Sequence, residues 1–562
     1  MTVETQIQRI GQDTSRTPRP VHDYDDLWYL GVVTEGSYSS GLVVRLFPDC
    51  DTEALRIGSF VVLEGERHRY FGTITDIRLR ATDAALTADP PAGGSNFVRR
   101  IVRGTHAYVT VDVRPALVLE DPQSVVGTTR PMPARTIPAH FAMLRRATPL
   151  DFALVFGAED RYRFALGTPP MMDIPVPIDL DLLVQRSNGI FGMSGSGKSV
   201  LTRLILFGLV KADIASALIF DMHSEYARAP IDQPQIAGLV DLFGHTRIRV
   251  YTLDPRTDDA AASRTVRIGL NQIEPEDIEL LAQELNLNPT FTTVAHHLRR
   301  RFGERWIARA LDFTEEDVKE FCSETGAHTA SVDALRSKLT RIADRPYVAP
   351  QADSSALDEI LTHLEQGRHV ILQFGRYDTL LDYMLVANLV TRRIHQRYVE
   401  QALTQARIGA PASQRRRLVI VLEEAHKFLA PEAARQSIFG IIAREMRKYW
   451  VTLLVVDQRP SGIDPEVLSQ LGTKIIGPLT DQHDIDAVLT GVSDRSQMRN
   501  LLANLSPQQE CLVLGHAVPM PILLRTRPYD GEALRHQLRT DGIGVADGSA
   551  AHRLIFGEDP PA

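Results

Sequence analysis

The sequence predicts an α/β protein: a parallel-sheet core, a β-barrel in front of it and an α-helical bundle inserted within it. Three observations lead there. Short β-rich runs crowd residues 27–113; from Pro175 onward apolar strand-like runs alternate with helical patterns; and the alternation stops between about 275 and 365, where only helical patterns occur. At 562 residues the chain can bury more than one core, so a modular build is expected.

Residues 1–24 lack any apolar period and contain Pro18-Arg19-Pro20, as a flexible tail would. The barrel is expected over residues 25–170. Its runs are Leu27–Val33, Gly41–Phe47, Ser59–Leu63, Tyr70–Ile77 and His106–Val113, separated by turn residues, which suits a sheet closed on itself to protect its edges. Asp89–Ser95 is rich in Pro and Gly and reads as a loop. No catalytic cluster precedes about residue 185, so the barrel reads as a docking or assembly module.

The core is expected in two parts, 171–274 and 366–530. Its strands are Gly189–Phe191, Ala217–Phe220, Val370–Phe374, Leu418–Leu422, Thr452–Val456 and Lys474–Ile476, a pattern that crossover helices would join into a parallel sheet. The insertion, 275–365, shows Pro275 near a helix start, capping-box spacing in Thr314-Glu315-Glu316-Asp317 and an amphipathic Val332–Ile342 run. Ala402–Gln414 reads as a polar loop, and residues 531–562 as a C-terminal extension that docks elsewhere.

Within the core, Gly192-Met193-Ser194-Gly195-Ser196-Gly197-Lys198-Ser199 follows the apolar run Asn188–Phe191 and precedes the helical pattern Val200–Leu206. Strand, glycine loop and helix are the context of a Walker A loop. The residues from Gly192, Ser194, Gly195, Ser196 and Gly197 through Val200 would wrap a nucleoside triphosphate. Backbone N–H groups converge on its oxygens, Lys198 reaches the outer phosphates and the Ser199 hydroxyl ligates magnesium. ATP and Mg2+ are therefore the expected cofactors. A second acidic site is needed beside such a loop, and Leu418-Val419-Ile420-Val421-Leu422-Glu423-Glu424 supplies a Walker B pattern. Glu423 would hold magnesium through its water shell and Glu424 would orient and polarise the attacking water. The competing interpretation is a strand that merely ends in two surface carboxylates.

Basic residues number 62 against 70 acidic ones, a formal net charge of −8, so any nucleic-acid surface must be a local patch or an assembled pore lining. Arg299-Arg300-Arg301 and Arg415-Arg416-Arg417 read as solvated surface rather than as DNA contacts. Cys50, Cys322 and Cys511 show no paired metal-ligand spacing and fit buried single thiols in a reducing compartment. No apolar run approaches a membrane span, so a soluble, cytoplasmic protein with no membrane partner is expected.

Phe220-Asp221-Met222-His223-Ser224-Glu225-Tyr226, Glu423-Glu424-Ala425-His426-Lys427-Phe428-Leu429, Arg444-Glu445-Met446-Arg447-Lys448-Tyr449 and Gln458-Arg459-Pro460-Ser461 occur in the order seen in the HerA branch of the HerA/FtsK ATPases. The chain resembles bacterial HerA from about residue 25 to 535. The resemblance implies a RecA-like core carrying the helical insertion and a barrel of the type shared by HerA and ATP synthase. It places Asp221 near the active site, makes Gln458 the sensor of the γ-phosphate and donates Arg444 or Arg447 across a subunit boundary as an arginine finger. Glu423 departs from the pattern, since many relatives carry aspartate there. A guanidinium supplied in trans would neutralise charge spreading over the γ-oxygens. The bland reading of Arg444, Arg447 and Lys448 is one solvated helix face, and His223 and His426 read as structural histidines.

The family further implies a homohexameric, ATP-driven translocase or helicase that threads double-stranded DNA through a central channel. It would work with a NurA-like nuclease in DNA-end processing or antiphage defence. The alternative is an ATPase scaffold that regulates an effector, a nuclease or a sirtuin-like NADase, docked at the barrel. A membrane-docked DNA pump of the FtsK or conjugative type is disfavoured by the lack of a membrane segment.

Overall fold

The computed structural model describes residues 29–82, 106–119, 131–170, 172–229, 236–254, 263–352, 355–408, 416–434, 437–492, 495–506 and 509–543, with Gln233 and Arg256. The expected tail at 1–24, the Asp89–Ser95 loop and residues 544–562 lie outside these. Two compact units emerge, one drawn from Met1–Ile178, Ser496–Leu501 and Leu512–Arg525, the other from Asp179–Arg495, Leu502–Cys511 and Thr526–Ala562.

In the first unit, β1 (Tyr29–Ser37), β2 (Gly41–Leu46), β3 (Phe60–Glu64), β4 (Arg69–Ala81), β5 (Ala107–Leu119), β6 (Met132–Pro133) and β7 (Met143–Arg146) lie in the order β2-β1-β7-β3-β4-β5-β6. An antiparallel β2–β5 pairing closes the ring, leaving the short β6 as an appendage of β5. Closure removes the free edges that a sheet of six strands would otherwise expose. Val44, Ile74, Val111 and Leu144, all at 0% exposure, fill the interior. Gly72 sits where β4 bulges against β5, and a Cβ there would lie 2.3 Å from the Arg114 carbonyl oxygen. Each of the five runs expected in the barrel holds a strand among its described residues, Leu27 and Trp28 lying outside them. Strand β7, between β1 and β3, is illegible in sequence because Leu144 is its one buried side chain. After the barrel come β8 (Arg163–Thr168) and β9 (Val176–Asp179).

The second unit is built on parallel strands. They are β10 (Asn188–Phe191), β11 (Ala215–Asp221), β12 (Ile248–Thr252), β13 (Ser263–Thr265), β16 (His369–Gln373), β17 (Arg417–Glu423), β18 (Val451–Asp457) and β19 (Thr473–Ile476), with the two-residue β14 (Ile268–Gly269) and β15 (Val348–Ala349) forming a separate pair. The order β13-β12-β16-β11-β17-β18-β10-β19 is parallel throughout. Strands β10, β11 and β18 are buried at every residue, as expected when helices cover both faces of a parallel sheet. The helix after the glycine loop, Lys198–Ala212, is buried from Leu201 to its end. Finally β20 (Glu510–Gly515) and β21 (Ile522–Thr526) join β8 and β9 in the order β20-β21-β8-β9.

The helical stretch matches its sequence signals with one difference. Thr314 caps the Glu315–Thr325 helix in a reciprocal box with Asp317, and Val332, Leu335, Leu339 and Ile342 bury one stripe of the Thr329–Ala343 helix. It is not purely helical, because β15 lies within it and pairs with β14, just before it, bringing residues 268 and 348 together. The Ser355–Glu365 helix packs instead on β16 and β11. Residues 402–408, expected as loop, continue the 29-residue Leu380–Ile408 helix, whose earlier turns bury Leu385, Leu389 and Ile394. Part of the C-terminal extension folds on its own unit, where Lys211 Nζ lies 2.9 Å from Asp541; just before the extension, the Tyr529 hydroxyl donates to the Ala237 carbonyl. Of the thiols only Cys511 is buried; Cys50 and Cys322 are partly exposed. Among the described residues no helix is long and apolar enough to cross a membrane.

Candidate active site

Strand register alone gathers the site. Phe191 pairs with Asp457, Glu423 with Val456 and Ile219 with Val421, so the carboxyl ends of β10, β18, β17 and β11 lie in one row. Ligands of open parallel sheets bind at that end, where successive loops diverge. The glycine loop leaves β10 there. Gly195 and Gly197 take φ values of 77° and 90°, in the left-handed region that favours glycine. A Cβ at Gly192 would instead lie 2.5 Å from Ser196 Oγ. Ser194 and Gly195 are exposed and Ser196 is buried. Lys198 donates to the loop's own Met193 carbonyl at 2.9 Å. Burial lowers its pKa, while Glu424, Asp457 and Glu423 pull the other way. Ser199 and Val200 form the first turn of the helix that follows.

Asp221 ends β11 with its side chain fully buried, and its carboxylate accepts the backbone N–H groups of Glu225 at 2.8 Å and Tyr226 at 3.1 Å. This clamps the turn through residues 222–225 and returns Tyr226, whose hydroxyl donates to Glu423 Oε1. The Tyr383 hydroxyl, reaching over from the Leu380–Ile408 helix, donates to the Glu423 carbonyl at 3.1 Å and accepts its N–H at 3.2 Å. Burial pushes the Asp221 carboxyl up to about 6 against the pull of its two backbone donors. Glu423 is pushed up to about 8, first by burial and then by Asp221, Glu225 and Glu424, with the Tyr226 hydroxyl opposing. Three carboxylates crowding a fourth leave the spot short of positive charge. That deficit suits a divalent cation, which Ser199 and Glu423 would hold.

Glu424 sits at φ 47°, rare for a residue with a side chain, and its Oε1 accepts a hydrogen bond from Gln458 Nε2 at 2.8 Å. The two residues expected to activate water and to sense phosphate thus touch. His426 Nδ1 lies 3.6 Å from Glu424 Oε2 and 3.0 Å from Asp457 Oδ2. Asp457 ends the apolar β18 much as Glu423 ends β17, so a site role for it is readable from the pattern. Tyr383 carries no such signal, because only the packing of a distant helix brings it in. His223 stands apart from the hydrogen bonds that join these residues.

The arginines behave differently. Arg444, at the end of the Ile438–Glu445 helix, donates to the Ala434 carbonyl of its own chain at 3.0 Å. The side chain of Arg447 lies outside the described residues, and exposed Lys448 pairs with Glu445 at 3.7 Å. Arg299 binds Glu274 through two nitrogens, Arg301 binds Glu320 and Glu324, Arg416 binds Asp213 and Arg417 binds Asp181. Most members of the two basic triplets are therefore committed to ion pairs; Arg300 is exposed and Arg415 lies outside the described residues.

Residues 164–394 match the family model described as "Helicase HerA, central domain". The "DNA double-strand break repair helicase HerA" of Pyrococcus furiosus is 24% identical over 417 residues, covering 67% of this chain and 72% of that one. Its namesake from Sulfolobus acidocaldarius is 23% identical over 485 residues, covering 85% and 90%. Among solved structures, the bacterial conjugative coupling protein TrwB aligns at 14% identity with a TM-score of 0.43, covering 69% of this chain and 95% of that one. The span matched by the family model contains the glycine loop and the Asp221 turn, and at 85% coverage the likeness to the Sulfolobus acidocaldarius relative extends past the acidic strand end: over most of its length the chain is similar to HerA helicases, and it is a P-loop ATPase.

Proposed function

We propose that this ATPase is an ATP-driven DNA translocase or helicase. The observation that carries the reading is the convergence of Lys198, Asp221, Glu423, Glu424 and Gln458 at one end of the parallel sheet. In this reading the loop from Gly192 to Val200 binds ATP, and Ser199 and Glu423 hold Mg2+, which when bound neutralises charge on the phosphates. Glu424 orients the attacking water, and Gln458 exchanges its hydrogen bond to Glu424 for one to the γ-phosphate. The relatives' printed names supply the substrate, DNA. A homohexamer with double-stranded DNA in its channel then completes each site with Arg444 or Arg447 of a neighbour. The division of the chain into tail (1–24), barrel (25–170), split core (171–274 and 366–530), insertion (275–365) and extension (531–562) belongs to the same proposal.

One observation favours a docked effector at the barrel, whether a NurA-like nuclease or the NADase of the scaffold reading. Of the ten large apolar side chains exposed among the described residues, nine fall in the first unit, including Leu79 at 84% and Phe141 at 72%, and only Leu403 falls in the second. The proposal is tested by ATP hydrolysis with and without duplex DNA. A translocase raises its rate several-fold on DNA, and Lys198→Ala abolishes both rates. A rate indifferent to DNA of any length would turn the reading toward the scaffold.

A further inference from the structure

Asp457 is wholly buried, and burying a carboxylate is costly unless donors replace its lost water. It has several. Its carboxylate accepts the His426 backbone N–H at 2.6 Å, His426 Nδ1 at 3.0 Å and the Arg459 N–H at 2.7 Å, while its carbonyl accepts the Gly192 N–H at 3.3 Å. Three loops meet on this residue: the entry to the glycine loop, the turn after Glu424 and the turn carrying Gln458. They also form a circuit. From Glu424 the chain runs through Ala425 to His426, across to Asp457, on to Gln458 and back to Glu424 by the 2.8 Å hydrogen bond. Ligating atoms of Glu424, His426 and Asp457 all lie within 4.8 Å of one another.

We infer that Asp457 is the positioning residue for hydrolysis, acting through His426 to hold Glu424 and Gln458 in one frame. The inference rests on Glu424 being the water-activating group. An ionised carboxylate only accepts, so Asp457 fixes the proton of His426 on Nδ1 and sets the ring's orientation. With both the backbone N–H and the ring of His426 tied to one carboxylate, the turn that carries Glu424 at φ 47° cannot drift independently of Gln458. Positioning errors of about 1 Å cost on the order of 100-fold in rate without touching ground-state binding.

The test compares kcat for ATP, affinity for a fluorescent ATP analogue and Tm across full-length variants. Asp457→Asn and His426→Ala should each lower kcat roughly 10- to 100-fold while nucleotide affinity holds. Their combination should be no worse than either alone, because both break one linkage. His426→Asn, which offers an amide N–H where Nδ1–H stood, should recover most of what His426→Ala loses. The inference is overturned if His426→Ala turns over at the wild-type rate, if affinity and kcat fall together in step with Tm, or if His426→Asn is as slow as His426→Ala. Should Asp457→Asn fail to fold, the two variants at partly exposed His426 decide alone. Glu424→Gln runs alongside: full turnover there refutes the underlying reading, whereas an inert Glu424→Gln beside a fast His426→Ala refutes only the positioning role.

Discussion

Glu424 carries a left-handed backbone at the exit of a strand, a conformation that costs a residue with a Cβ about 1–2 kcal/mol and persists where its surroundings over-determine it. The surroundings here are the Gln458 amide and the tethered His426 turn. Glu424→Gln keeps the shape and loses the charge, so ATP should remain bound while kcat drops by about 100-fold or more. Lys198→Ala removes the cation facing the phosphates, and both binding and turnover should fail; nucleotide titration and single-turnover hydrolysis separate the two cases. Glu423 makes a prediction about pH. Its carboxyl ionises near 4.5 in the unfolded chain and is pushed up to about 8 in the fold, so its stabilising share is complete below 4.5 and shrinks as pH rises toward 8. Without nucleotide or magnesium, Glu423→Gln should therefore gain Tm over the wild type between about pH 5 and about pH 8. A constant difference across that range would show that Glu423 is not the buried acid described here.

At the scale of elements, the helical insertion is fastened to the core by a buried ion pair. Asp277, in the Pro275–Leu280 helix, accepts Arg392 Nη2 at 2.7 Å and Nε at 3.0 Å and Asn388 Nδ2 at 2.7 Å, both partners lying on the Leu380–Ile408 helix. Arg392→Met leaves that carboxylate buried without its cation and should cost about 3–5 kcal/mol. Hydrogen exchange should show the loss first in the insertion helices; protection there equal to the wild type would mean the pair fastens nothing. No sequence pattern announces Asp277–Arg392, which are far apart in the chain. The elements themselves are another matter. Apolar runs such as Leu418–Leu422 and Thr452–Val456 announce buried parallel strands, and the glycine loop announces its own turn. Strands β12, β20 and β21 escape notice, since their short apolar runs sit among helical and turn residues with no motif at their ends. Glu423 and Glu424 are legible because they end such a run; Tyr383 is not, because tertiary packing alone delivers it.

At the scale of the molecule, one chain holds the groups proposed to activate water and bind phosphate but keeps Arg444 on its own Ala434 carbonyl. The proposed hexamer would draw an arginine into the neighbouring site. Mixing a Glu424→Gln subunit with one carrying Arg444→Ala and Arg447→Ala then creates interfaces where an intact glutamate meets intact arginines, and hydrolysis should exceed that of either parent. Verified mixed rings with no gain would confine both arginines to roles within their own subunit. The central claim, that hydrolysis drives movement along DNA, is tested most directly by displacement of a third strand from a DNA triplex by the purified protein. The wild type should strip the third strand only when ATP is hydrolysed, and Glu424→Gln should bind ATP yet leave the triplex intact. Brisk ATP hydrolysis by the wild type on DNA with the triplex undisturbed would contradict the account.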